Sequence, residues 1–239
     1  MALAAAALAA VLLALSAYRA EDAPRTSSLS KPNVLLMTAL PLVWGEGGAF
    51  DPNSRPAPFY TALQAEFAFQ PIDALDAESL GEAKLLLLIQ PRWLAPEELV
   101  ALDGWVRRGG NALILTDPKL NWHSDLPLGD IRRPPPVGLL QPLLSHWGLA
   151  MEPGDAGALR IDLPGGRTLA VEDPGRLTAT STACKVVLRV RANCRIGRGR
   201  AILLADVDLV REELWQGEGR ADNPRVVADL LGTLAGLTR

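Results

Sequence analysis

KLLLLIQPRWLAPEELVALDGWVRRGGNALILTDP, residues 84 to 118, carries in order an apolar run, a helix and a second apolar run. Leu85 to Ile89 is uniformly apolar, as expected of a strand covered on both faces. Pro96 stands at a first-turn position with Glu97 and Glu98 behind it, where acids complement the positive end of a helix dipole. Leu99, Leu102, Trp105 and Val106 share one helical face, Arg107 and Arg108 occupy the last turn, and Gly109-Gly110 stops the helix. Asn111 to Thr116 is the next strand. Strand, helix and strand in this order make a right-handed crossover between parallel strands, so Gln90 and Asp117 emerge at the same, carboxyl edge of a sheet.

The flanking sequence extends this pattern. NVLLMTAL (33–40) reads as a buried strand, Phe59, Leu63 and Phe67 have helical spacing, and FQPIDAL gives a weaker second strand. A proline-rich connection runs from Pro118 to about Val137, followed by the helix LLQPLLSHWGL (139–149). Turn residues every few positions predict a small β insertion at about residues 155–195. KVVLRVRANCRIG is expected to turn at Arg198-Gly199 into RAILLADVD, and a last helix spans Asn223 to Leu237. The prediction is a three-layer α/β domain over residues 33–239, built on a mainly parallel sheet.

With 239 residues, 49% of them hydrophobic and 21% charged, the chain can build one main core. A net charge of -3 provides no basic field of the kind that nucleic acid demands, so nucleic acid is not an expected partner. Cys184 and Cys194 are too few for a disulfide scaffold or a paired-Cys zinc site. If CKVVLRVRANC is one extended strand, its ends lie roughly 33 Å apart at about 3.3 Å per residue, and no bridge can form. A hairpin turn between them would bring them together. The reading adopted is two free or buried thiols.

Residues 2 to 18 contain no charge, and at about 1.5 Å per residue they just cross a hydrocarbon core of roughly 30 Å. Residues 1–19 are read as a membrane anchor, with a cleaved signal segment (Ala14-Leu15-Ser16 offers a small-x-small site) and a buried helix as alternatives. The lipid bilayer is thus an expected partner. Residues 20–32 form a tether. Arg19, Arg25 and Lys31 follow the apolar run and, counted alone, keep the domain in the cytoplasm.

Candidate chemistry gathers at the strand ends. Gly45-Glu46-Gly47-Gly48 follows the first strand but lacks the G-x-G-x-x-G spacing, and no P-loop motif is present, so no nucleotide cofactor is expected. A nucleophile elbow needs Ser or Cys after a strand, whereas the chain reads Gln90-Pro91-Arg92-Trp93. His123-Ser124-Asp125 resembles the base half of a His-acid pair, without a nucleophile. Asp206 and Asp208 end a strand with spacing suited to a thin cation site, or to capping of the following helix; no metal is predicted. Trp44, Trp93 and Trp122 follow strands and could line a pocket for a sugar or peptide. The candidate ligand-binding set is therefore Trp44, Glu46, Gln90, Arg92, Trp93, Asp117, Trp122, Asp206 and Asp208, with no catalytic residue among them.

LLLLIQPRWLAPEELVALDGWVRRGGNALILTDP, the later LLQPLLSHWGL and the closing IGRGRAILLADVDLV with NPRVVADLLGTL resemble the GldG-like auxiliary proteins of ABC transport systems, over roughly residues 31 to 236. The most distinctive part is Gly-x-Gly-Arg, an apolar strand and Asp-x-Asp, followed by a helix beginning near Asn223-Pro224. The resemblance implies a flavodoxin-like fold similar to class I glutamine amidotransferases but without their catalytic residues. It further implies a domain exported across the inner (cytoplasmic) membrane into the periplasm, beside separate ABC permease and ATPase subunits. The expectation is a non-catalytic accessory subunit. A glycan or cell-envelope ligand domain, and a hydrolase using His123 or Asp206, are the alternatives.

Overall fold

A computed structural model describes residues 31–217 and 220–237. The expected anchor (1–19) and all but the last two residues of the tether lie outside the described residues. Among the described residues no helix is long and apolar enough to cross a membrane. In chain order the elements are β1 (Asn33–Thr38), α1 (Pro58–Gln64), β2 (Ala68–Pro71), α2 (Ala77–Leu80), β3 (Leu85–Ile89), α3 (Pro96–Arg107) and β4 (Asn111–Leu115). There follow α4 (Gln141–Trp147), β5 (Leu149–Pro153), β6 (Ala158–Leu163), β7 (Arg167–Glu172) and β8 (Gly175–Ala179). The last are β9 (Cys184–Val187), β10 (Arg191–Ile196), β11 (Gly199–Leu204), a 3-10 turn (Asp208–Val210), α5 (Glu212–Trp215) and α6 (Asn223–Ala235).

The protein is a mixed α/β structure on a largely parallel seven-stranded sheet, in the order β2-β1-β3-β4-β11-β10-β9. The first five strands are parallel, β10 pairs antiparallel with β11, and β9 pairs antiparallel with β10. Strand β3 lies near the middle with all five residues buried, which explains its unbroken apolar run. Leu85, Leu87 and Ile89 pack on one face with α1 and α6, through Phe59, Leu63, Val227 and Leu231. Leu86 and Leu88 pack on the other with α3 and α4, through Leu102, Trp105, Leu144 and Trp147. Each such buried side chain contributes about 1.5–3 kcal/mol relative to exposure.

Local chemistry fixes the crossover. The Glu98 carboxylate accepts the Ala95 N–H at 2.9 Å, closing the first turn of α3. At the other end a Cβ on Gly110 would meet the Trp105 ring at 2.4 Å, so only glycine lets the indole pack there. The Trp105 indole N–H donates to the Ala83 carbonyl at 3.1 Å.

Three expectations are corrected. CKVVLRVRANC is not one strand: the chain reverses at Leu188-Arg189-Val190 into antiparallel β9 and β10, and the second turn falls at Gly197-Arg198. Cys184 and Cys194 then stand opposite each other and form a disulfide, replacing the free thiols read from the sequence. The β insertion consists of the pairs β5-β8 and β6-β7, residues 149–179, because 184–196 joins the main sheet. At the opposite end of the sheet, Ala68 and Ile72 donate their N–H groups to Pro32 and Leu36, so β2 closes the sheet with Pro71 between two β1-facing positions.

Candidate functional site

Strand order reverses between β1 and β3, and the loops leaving the carboxyl ends of such strands form the customary ligand crevice of an open α/β sheet. Gln90 sits there directly after β3. It is fully buried with φ of 37°, the left-handed backbone of a strand-to-helix elbow, where hydrolases of other folds place a nucleophile. Its side chain holds the ends of other elements instead. Oε1 accepts the Asp117 N–H at 2.9 Å, and Nε2 donates to the carbonyls of Asp117 (3.3 Å) and Pro135 (3.0 Å). The proline-rich connection is thereby fastened to the strand ends.

Asp117, Asp206 and Asp208 are buried on the same edge. Asp117 accepts the N–H groups of Lys119 (2.8 Å) and Val207 (2.9 Å); Asp206 accepts those of Glu172 (2.9 Å) and Leu209 (2.7 Å). Asp208 accepts the Asn121 N–H at 3.0 Å and meets Arg211 at 3.3 Å, which also pairs with Glu172 at 2.7 Å. Burial pushes the Asp117 carboxyl up to about 6, against the pull of the two N–H donors, and the charge of Asp208 adds to the rise. Burial likewise raises Asp206 well above the carboxylate range, with help from the charge of Asp117, and it raises Asp208. The result is a set of coupled buried acids whose oxygens tie β4, β7, β11 and the long loop together. Among the described residues no group of three or more His, Cys, Asp or Glu is arranged to hold a metal ion.

Of the remaining ligand-binding candidates only Trp122 lies beside this cluster, sharing a cavity with Asn121 and Arg211, the partners of Asp208. Arg92 pairs with Glu98 at 2.9 Å and donates to the Asp73 carbonyl at 2.6 Å. That pairing holds the Glu98 carboxyl down at about 2. Glu46 accepts the Asp125 N–H at 3.2 Å, linking the loops after β1 and β4. Trp44 lines a cavity of about 140 Å³ with Thr38, Pro41 and Asp73, whereas Trp122 lines a different one of about 400 Å³ with His123 and Arg211. Trp93 is 63% exposed. His123 does approach Asp125, at 3.3 Å, with both side chains 92% exposed.

Asn223 was read only as a helix start, yet it is fully buried and bridges three elements. Its Oδ1 accepts the Ala170 N–H, and its Nδ2 donates to the carbonyls of Ala170 and Leu209, each at 2.8 Å. An Asn-Pro pair announces the helix; only the fold shows that its side chain pins β7 of the insertion to the start of α6 and to the 3-10 turn.

A family model described as an ABC-type uncharacterized transport system matches residues 31–163. The chain belongs to this ABC-transport auxiliary family. No curated protein matches this auxiliary protein. Among solved structures it is similar to the mmIFT52 N-terminal domain (TM-score 0.54, 14% identity, covering 85% of this chain and 97% of that one). It is also similar to the exo-beta-1,4-mannosidase Op5Man5 from Opitutaceae bacterium strain TAV5 (0.50, 13%), covering 86% of this chain but 36% of the enzyme. A third likeness is to the cytoplasmic protein STM1381 from Salmonella typhimurium LT2 (0.50, 11%, covering 84% and 99%). At these identities the auxiliary protein shares with them the fold alone.

Proposed function

We propose that this ABC-transport auxiliary is a non-catalytic accessory subunit of GldG-like type, held to the inner membrane by its amino-terminal segment. Its domain has the flavodoxin-like arrangement of class I glutamine amidotransferases, exported to the periplasmic side. The observation that carries this reading is Gln90: the elbow position holds a buried amide that braces three chain segments, where a hydrolase keeps an attacking atom. Around that edge the loops expose Trp44, Phe50, Trp93, Leu128 and Ile131, of which Phe50, Leu128 and Ile131 are more than 90% exposed. Exposed apolar side chains grouped on neighbouring loops favour a protein contact. The disulfide supports export, because such bonds persist in oxidising compartments.

The test is site-specific photo-crosslinking from Phe50 and Leu128 in native membranes, with the full chain. Crosslinks to a permease or ATPase-associated subunit are expected. Hydrolysis of glutamine or of a β-mannoside by the purified chain, lost in Asp206→Ala, would refute the non-catalytic role.

A further inference from the structure

The amino-terminal edge of the sheet has a different character from the carboxyl edge. The starts of β1, β3, β4 and β11 and the end of β10 lie there, as do the ends of α3 and α4. Lys84, Arg107, Arg108, Arg195, Arg198 and Arg200 lie at this edge, with the acids Glu82 and Asp103 beside them. Arg198 and Arg200 donate to carbonyls that end α3 and α6, Arg108 and Thr233 with Leu234, so their charge answers the negative helix ends without a carboxylate. Beside the ends of α3 and α4 opens a cleft of about 310 Å³ lined by Arg107, His146 and Arg195 together with Ser145, Thr180 and Ser181. Asp103 lies behind it and is engaged by Arg107 at 2.7 Å and by the Trp147 indole at 2.8 Å. Among the described residues Arg195 has no carboxylate partner.

The chain enters the domain at Pro32 and Asn33, on this same edge. We infer that the basic edge rests on an anionic lipid surface, with a headgroup phosphate in the cleft of Arg107, His146 and Arg195. Two independent features converge: the polarity of the charge and the position of Pro32 and Asn33, the first residues of the domain, on the same edge. The inference rests on the membrane-tethered reading above. A guanidinium pair with flanking hydroxyls offers phosphate oxygens several donors at once, and juxtamembrane basic groups are drawn to anionic leaflets over a Debye length.

The experiment places the full chain in phosphatidylglycerol vesicles and in purely phosphatidylcholine vesicles, and follows amide hydrogen exchange. Segments 105–111 and 194–200 are expected to exchange at least about fivefold more slowly on the anionic surface, and Arg195→Glu or Lys84→Glu to weaken the contact about fivefold per positive charge removed. Equal exchange on both surfaces would overturn the inference. So would protection of the loops at 46–51 and 126–133 in its place, which would mean that the apolar loops enter the bilayer. Protection reproduced by inorganic phosphate over neutral vesicles would assign the cleft to a soluble anion and overturn the lipid contact. Flotation with phosphatidylcholine vesicles reports the anchor separately, so failure of the tether and failure of the basic edge give different results.

Discussion

Gln90 Oε1 accepts the N–H of Asp117 at 2.9 Å, and its Nε2 returns a hydrogen bond to the Asp117 carbonyl. This reciprocal pair locks the ends of β3 and β4 together, and Gln90 achieves it from a left-handed backbone that non-glycine residues disfavour. Two opposed terms can therefore be separated by mutation. Gln90→Ala removes the pairing and leaves the Asp117 N–H buried without an acceptor, at a cost of about 2–4 kcal/mol. Gln90→Gly loses the same bonds but relieves the strained φ, and should be more stable than the alanine variant by about 1 kcal/mol. Urea unfolding of both variants decides the matter; equal stability would remove the strain from the account.

Stability should depend on pH through Asp117. Its folded-state carboxyl titrates at about 6, above the ordinary 3.8, so the folded state holds the proton more tightly than the unfolded chain. The associated stabilisation is complete below about pH 4 and is lost as pH rises through 6, a change of up to about 3 kcal/mol. The raised Asp206 and Asp208 act in the same direction. Glu98, held at about 2 by Arg92, acts oppositely: its contribution is complete above about pH 5 and is lost as pH falls through the range down to 2. Unfolding midpoints should therefore be higher at pH 5 than at pH 7.5, with the difference reduced in Asp117→Asn. A wild-type midpoint that is the same at both values contradicts the buried-acid picture.

Reduction of Cys184–Cys194 should destabilise the domain. The bond closes a loop of sequence separation 10, for which the chain-entropy model gives about 2–3 kcal/mol. Thermal unfolding with and without a thiol reductant measures this, and Cys184→Ala with Cys194→Ala should match the reduced protein. Two titratable thiols in the unreduced, denatured chain would show that the bridge does not form.

Residues 84–118 were legible because each signal in them is local: an unbroken apolar run, Pro96 and two acids at a helix start, and two glycines at its end. The β9-β10 reversal was not. Leu188 and Arg189 take φ of 62° and 58°, a conformation that usually announces itself with Gly, Asn or Asp. Missing that turn also hid the disulfide, since only the reversal sets the two cysteines opposite each other. At the site, the sequence set Gln90 and Asp117 on one edge and Asp206 and Asp208 at a strand end, whereas only the fold brings the three carboxylates into one buried set. Proximity to strand ends did not gather the tryptophans, because loop conformation decides where Trp44, Trp93 and Trp122 go.

One consequence follows from the terminal position of β2. Ala68 and Ile72 turn their amides toward β1, so by alternation Phe69 and Pro71 face away from it. Proline has no amide hydrogen, and half of the outward donors that this short strand could offer are missing. A neighbouring copy thus finds a poor template for strand addition along this edge of the sheet, which blunts end-to-end joining of sheets through β2.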